Sequence, residues 1–250
     1  MTQDTTVVVG DRFTEFLSTR GTISASELSE RLRAGEVAPG TVIVAGQGIP
    51  AAQREELDLL AGPAGADVRF AGSGAPTAGR WLTHKHVEKN EMITAPERAG
   101  ENRFVAALLV DAHADTLEDH LTGHHIPGIA LTEAARQTWT AVTERFFLGE
   151  TSPKVRFVLG SFSSTFHRYV FPLPATVEYT LLDRTQNAME QVFCCRVAVR
   201  QNDAVAAEID AEYRVIDERI SARQEAMAAR AAVSAELARH AREGADAVAP

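Results

Sequence analysis

Along the first 78 residues, short apolar runs alternate with stretches of helical periodicity. Val7-Val8-Val9, closed by Gly10-Asp11, reads as a strand, and Phe13 to Leu17 as a short helix. Ser24 followed three residues later by Glu27 has the capping-box spacing, which predicts a helix running to about Gly35. Thr41-Val42-Ile43-Val44-Ala45 is rich in β-branched residues and bounded by Gly40 and Gly46, so it predicts a buried strand. A helix from about Ala51 to Leu60 and a strand over Val68 to Phe70 follow. This alternation predicts a small α/β segment over residues 1–78, closed by the linker candidate Ala71-Gly72-Ser73-Gly74-Ala75-Pro76-Thr77-Ala78-Gly79.

From Trp81 the pattern changes. Trp81 to Thr94 and Arg103 to Val110 read as two strands around a turn at Ala99-Gly100, and Asp111 to Pro127 as a polar, His-rich loop. A helix from Gly128 to about Phe147 carries Ile129, Leu131, Trp139, Val142 and Phe146 around much of its surface, so other structure must wrap it. Strands are then predicted at roughly Phe157–Ser164, Thr176–Leu182, Glu190–Arg200 and Ala204–Val215. Antiparallel strands, one buried helix and more antiparallel strands form an α+β order over residues 80–217. The Ala- and Arg-rich stretch from Ile216 to about Glu243 is helical by propensity, with the tail taken as residues 218–250. Its apolar stripe, Ile220, Met227 and Leu237, is sparse, so a mostly solvated helix docked along one side is expected in preference to a dimerising coiled coil.

Composition narrows the function classes. At 250 residues, 45% hydrophobic and 24% charged, the chain is an ordinary globular protein and not a disordered one. No window approaches 18 consecutive apolar residues, and the first residues lack a basic region followed by an apolar core, so neither a membrane span nor a secretory signal is expected. A net charge of −9 argues against nucleic acid or an anionic membrane as partner. The only cysteines, Cys194 and Cys195, are adjacent and suit packing in a reducing cytoplasm better than stapling a fold.

The densest polar cluster runs from Asp119 to Gln137. His120, His124 and His125 precede a helix that opens on Pro127-Gly128, where free backbone N–H groups and the bare Gly128 can receive a carbonyl oxygen or oxyanion. Glu133, Arg136 and Gln137 share one face of that helix. A carboxylate in such an apolar helix tends toward a raised pKa unless Arg136 holds it ionised. His120 and His124 have the i, i+4 spacing of a metal pair, but Gly123 and Pro127 break the helix that would aim them together, so no metal is expected. Gly46-Gln47-Gly48-Ile49-Pro50-Ala51 has the form of a dinucleotide-binding turn. Its only acidic candidate about 20 positions on is Asp67, ahead of its strand's core, so a remnant or docking module is preferred to nucleotide binding.

On these residues the chain resembles the A-factor synthase family, whose members adopt hotdog folds. The family pattern stands here as Asp119-His120, His125-Ile126-Pro127-Gly128 and Glu133-Ala134-Ala135-Arg136-Gln137, with the N-terminal His-Lys pair matched by His84-Lys85 at the start of the first hotdog strand. More distantly, the β-hydroxyacyl thioester dehydratases share the Pro-Gly opening and the helix Glu, while their catalytic His falls on Asp119, beside His120. Two features depart from the pattern. Many members carry two tandem hotdogs where this chain has one, which implies a homodimer. Gly123-His124 also replaces an acidic residue often found before the second His.

The resemblance implies a single hotdog domain acting on an acyl thioester, carried on the phosphopantetheine of an acyl carrier protein or on coenzyme A, without a bound cofactor. The implied reaction passes a β-ketoacyl group to a hydroxyl of a small acceptor, on the way to a butyrolactone signal. Gly128 N–H would polarise the thioester, Glu133 or His125, with His120 nearby, would take the proton, and Arg136, Gln137, His84, Lys85 and His124 would contact substrate. A hotdog dehydratase, hydratase or thioesterase is the enzymatic alternative, and a non-catalytic module binding an acyl carrier or lactone the non-enzymatic one.

Overall fold

The computed structural model describes residues 5–70, 77–120, 122–149, 154–187 and 189–246, so most of the expected linker, residues 71–76, lies outside the described residues. The N-terminal part is a wholly parallel four-stranded sheet. Its strands are β1 (Thr5–Val9), β2 (Thr22–Ser24), β3 (Val42–Ala45) and β4 (Asp67–Phe70), in the order β2-β1-β3-β4. Helix α1 (Ala25–Ala34) starts where the capping box placed it, with Glu27 N–H donating to Ser24 Oγ at 3.2 Å, and stops at Gly35 in the left-handed conformation. Helix α2 (Ala51–Ala64) runs one turn further than expected. Strand β2 is too short to leave a periodic signal in the sequence, and the helix expected over Phe13–Leu17 is a single 3-10 turn at Phe16–Ser18.

The second sheet has six antiparallel strands in the order β5-β6-β8-β9-β10-β7. These are β5 (Glu97–Arg98), β6 (Arg103–Ala107), β7 (Val155–Phe166), β8 (Thr176–Gln186), β9 (Glu190–Gln201) and β10 (Ala204–Asp217). Alternate residues of β9 and β10, among them Phe193, Cys195, Val197, Ile209, Ala211 and Tyr213, point into one core. Register shifts at Leu181/Asp183, Val205/Ala207 and Glu212/Tyr213 bend the sheet, and helix α5 (Gly128–Phe146) lies in its concave face with Ala130, Leu131, Ala134, Ala135, Trp139, Ala141 and Val142 buried. A single helix wrapped by an antiparallel sheet is the hotdog arrangement.

Residues 81–94 do not form the expected strand. A short helix α3 (Gly79–Thr83) leads to His84 in the left-handed conformation (φ 55°), and a 3-10 turn follows at Glu88–Asn90. Sheet pairing in this stretch is confined to single bridges, Thr77 to Thr94 and Ile93 to Leu108. This strap crosses α5 and is tied to its polar face, which overrides the strand propensity of Trp81, Thr83 and Val87. The loop before α5 contains a one-turn helix α4 (Asp115–Glu118).

The two sheets are joined at Gly46-Gln47-Gly48. Gln47 is buried, donates Nε2–H to Leu108 O at 3.0 Å and accepts from Val110 N–H through Oε1 at 2.7 Å. Its backbone N–H reaches Pro172 O and the N–H of Gly48 reaches Val110 O. A Cβ at Gly46 would collide with Pro172 O, and one at Gly10 with the Gly48 carbonyl, so glycine is required for the backbones to approach. The dinucleotide-like turn is thus consumed in docking. Phe13 and Phe16, from the loop after β1, are part of the larger core.

Helix α6 (Glu218–Asp246) differs from expectation in its docking. Glu218 N–H donates to Lys154 O, Ser221 is buried, and Arg156 reaches Glu218 and Glu225, but residues 222–240 are exposed. The apolar stripe is too thin to hold the rest of the helix against the body.

Candidate active site

Helix α5 is polar along one line: Glu133, Arg136, Gln137, Thr140 and Glu144 recur at three- and four-residue spacing. Arg136 grips the Glu133 carboxylate with both arms of its fork, Nε to Oε2 at 2.9 Å and Nη2 to Oε1 at 3.0 Å. Gln137 Nε2 donates to Oε1 at 3.0 Å, and Lys85 Nζ reaches the same oxygen at 2.6 Å. The network continues into the strap: Arg136 Nη2 donates to Thr83 O, Gln137 Nε2 to Asn90 O, and Gln137 Oε1 accepts from Met92 N–H. Gln137 is completely buried, and each of its three contacts ties α5 to its own face or to the strap.

Burial alone would raise the Glu133 pKa, but the Arg136 guanidinium, joined by Lys85 and Gln137, overcomes that and leaves the carboxyl below its ordinary value. Of the two outcomes the sequence left open, the second holds: Arg136 keeps Glu133 ionised.

Beside this network lies a cleft of about 350 Å³ between α5 and β7. Its floor is aromatic, with Trp139 stacked on Tyr213 at 5.8 Å and Phe157 on Tyr213 at 6.0 Å. Val155 and Leu159 extend the apolar wall, Arg136 and Arg156 bring cationic groups to it, and the His84 ring lines it. His84 packs edge-on against Phe157, and its Nε2 lies 3.2 Å from Glu144 Oε1. Tyr213 OH is hydrogen-bonded with Thr143 Oγ1 at 2.7 Å, and burial pushes its phenol far above the usual range, so it remains neutral.

The structure thus brings Lys85, Glu133, Arg136 and Gln137 into contact, with His84 on the same cleft. His84-Lys85 do this from the turn after α3, not from the start of a hotdog strand as the sequence suggested. The His loop stands apart in the single chain. His120 and His124 are exposed, and His125 is held by Thr122, whose Oγ1 accepts from the His125 N–H at 3.1 Å, and by Tyr169, 4.8 Å away ring to ring. Burial, and then the neighbouring His124, lower the His125 pKa, so its ring is neutral at pH 7. Gly128 is not open as its bare backbone suggested, because the Phe166 ring fills the space that a Cβ would take. Among the described residues no cluster of His, Cys, Asp and Glu is suited to a metal ion.

Residues 69–217, more than half of the chain, match the model of the A-factor biosynthesis hotdog domain (AfsA). The chain belongs to the A-factor biosynthesis hotdog family. The match spans the strap, α5 and all six antiparallel strands, and leaves outside it almost all of the parallel sheet and α6. Among solved structures, the chain is similar to a mutant thioesterase from Pseudomonas aeruginosa (12% identity, 50% of this chain and 81% of that one, TM-score 0.36). It is also similar to a thioesterase from Haemophilus influenzae (17% identity, 55% and 87%, TM-score 0.39). No curated protein matches the sequence.

Within this A-factor biosynthesis hotdog domain, sequence reasoning missed Arg156, Phe157, Thr83, Asn90 and Glu144. Only Glu144 was available, since it continues the line of Glu133, Gln137 and Thr140. The others depend on tertiary approach.

Proposed function

We propose that this protein transfers an acyl group, of the β-ketoacyl type, from a carrier-protein or coenzyme A thioester to the hydroxyl of a small anionic acceptor. The observation that carries this reading is the cleft itself: an aromatic slot suited to an acyl chain, ending at cationic groups beside an ionised carboxylate. The acceptor oxygen attacks the thioester carbon, the C–S bond breaks, and the thiol departs with a proton. Glu133, whose Oε2 carries a single side-chain donor, receives the acceptor's proton and returns it to the leaving sulfur. Arg136 orients Glu133, and its Nη1, bonded only to Thr140 Oγ1 at 3.4 Å, faces the acceptor's negative charge. For Gly128 N–H to polarise the carbonyl, the half-exposed Phe166 ring must turn aside. The reading needs no resident cofactor, and the free thiols of Cys194 and Cys195 suit a cytoplasmic setting.

The test is incubation of the full chain with a β-ketoacyl thioester and small phosphorylated hydroxyl acceptors, with products followed by mass spectrometry. An ester formed only when acceptor is present is the expected result. Free acid formed without acceptor would replace transfer by hydrolysis, and a thioester retained unchanged would replace both by binding.

We also infer a homodimer. Strand β7 is a 12-residue sheet edge that exposes Leu159, Phe162 and Phe166, and such an edge invites pairing with a second copy. Light scattering is expected to give a dimer for the unmodified chain and a monomer for Phe162→Asp combined with Phe166→Asp. A monomer before substitution contradicts the inference.

A further inference from the structure

Helix α6 has two sides of different chemistry. Glu218, Ser221 and Glu225 recur at three- and four-residue spacing and form the side turned to the body, where Arg156 meets both carboxylates and Ser221 is buried. The adjoining side, about 100° round the helix, carries Arg219, Arg223, Ala226, Arg230, Val233 and Leu237, again at three- and four-residue spacing. All six are exposed. The ion pairs among the described residues of this helix run from Arg156 to Glu218 and Glu225 and from Arg239 and His240 to Glu236, so the three guanidiniums of the stripe stay free. Val233 and Leu237 are 59% and 66% exposed, and residues 222–240 are exposed throughout, a run of about 28 Å. The alanine-rich sequence keeps this stretch helical without a packing partner, so the stripe is ready-made.

We propose that the stripe from Arg219 to Leu237 docks an acidic carrier protein, which brings the acyl thioester to the cleft on its pantetheine arm. The inference rests on the acyl-transfer reading for what the partner carries. It chooses a carrier over coenzyme A as the donor and gives that carrier a surface. Charge selects the partner: the chain has a net charge of −9, so an acidic protein is repelled by the body as a whole and steered to a face where three free cations stand in line. Val233 and Leu237 add apolar contact that holds the encounter once it is made. Position gives the stripe its use. Helix α6 starts at the cleft, where Glu218 is part of the lining and its N–H donates to Lys154 O, so a partner lying along the helix has its arm near the cleft. A bilayer is a poorer occupant, because two large apolar side chains give little to bury and Glu225 and Glu236 are repelled by anionic lipid. A second copy of α6 would set arginine against arginine, since Arg156 already holds Glu218 and Glu225.

The test is fluorescence anisotropy of a labelled acyl carrier protein of net negative charge, titrated with the full chain. Saturable binding that weakens as salt is raised is expected. Arg219→Glu combined with Arg223→Glu and Arg230→Glu should weaken it about tenfold or more. Arg219→Lys, Arg223→Lys and Arg230→Lys together should keep most of it, since the contact is by charge and not by fork geometry. In steady state the triple glutamate variant should raise KM for a β-ketoacyl carrier by the same factor, with kcat unchanged. Its turnover of the matching coenzyme A thioester should equal that of wild type, a split that a merely structural role for α6 would not produce. Circular dichroism checks that the helix persists, which exposed glutamates allow. Equal affinity for the carrier in wild type and the glutamate variant overturns the proposal. So does binding of the wild type to phosphatidylglycerol vesicles but not to the carrier, or self-association that the glutamate variant loses while neither protein binds the carrier. The two readings fail separately. Ester formation from the carrier that is indifferent to the three arginines removes the docking surface and keeps the reaction. Arginine-dependent carrier binding without thioester consumption keeps the surface and removes the reaction.

Discussion

Glu133→Gln is expected to lower acyl transfer by about 10²- to 10⁴-fold, the range associated with loss of a positioned proton acceptor, while the protein stays folded. The amide retains the shape and one acceptor oxygen for Arg136, Gln137 and Lys85, but loses the charge that both takes the proton and holds the cations. Glu133→Ala carries a second penalty. It leaves a part-buried guanidinium and ammonium facing an empty space, and it releases the strap that Arg136 holds at Thr83 O. A cost of about 3 kcal/mol is expected, the low end for breaking a buried pair, because the partners keep some solvent. The acid dependence follows from the lowered Glu133 pKa. The folded value lies below the unfolded one, so the stabilisation is complete above about pH 4.3 and disappears as pH falls through the folded value. Chemical denaturation of the two proteins from pH 7 to pH 3 should show a shallower acid loss in Glu133→Gln. Equal turnover in wild type and Glu133→Gln would remove Glu133 from the chemistry.

The largest structural effect is expected where the two sheets meet. Gln47→Leu leaves Val110 N–H without its acceptor and removes a donor from Leu108 O, all in buried surroundings. Each buried polar group left unpaired costs about 1–3 kcal/mol, so a loss of roughly 3 kcal/mol is expected. Gly46→Ala adds a Cβ against Pro172 O, and because backbone meets backbone, neither partner can turn away. The two substitutions together should unfold much of the protein at 25 °C, since such a loss consumes most of a marginal stability. Denaturant titration of the single variants checks this. If both melt like wild type, the parallel sheet is a loosely tethered appendage and not part of the folded unit.

The elements that the sequence announced are those whose signal is local. Ser24 and Glu27 mark the start of α1, the β-branched run Val42–Val44 marks β3, and α5 is legible because its apolar and small residues continue around the helix from Gly128. The strap was misread because its conformation is set at a distance. Trp81-Leu82-Thr83 has strand-like side chains, yet its path is fixed by Arg136, which bonds Thr83 O from 53 residues away. The same distinction separates the parts of the site. Glu133, Arg136 and Gln137 were visible as one helical face, and Arg136 does most to keep Glu133 ionised, but the contact from Lys85, which arrives through the turn at His84, was not visible. The bare Gly128 suggested open access, and only the path of β7 reveals Phe166 above it. Arg156 carried no sequence signal at all, because an arginine near the start of a strand is ordinary until a cleft and a second helix meet around it.

The central claim is that the acyl chain enters between α5 and β7. Nuclear Overhauser contacts from a ¹³C-labelled thioether analogue of a β-ketoacyl pantetheine, which cannot transfer its acyl group, test it most directly. Contacts from the labelled chain to the rings of Trp139, Phe157 and Tyr213 are predicted. Contacts confined to His125 and Tyr169 in the His loop, or no bound analogue, would contradict it.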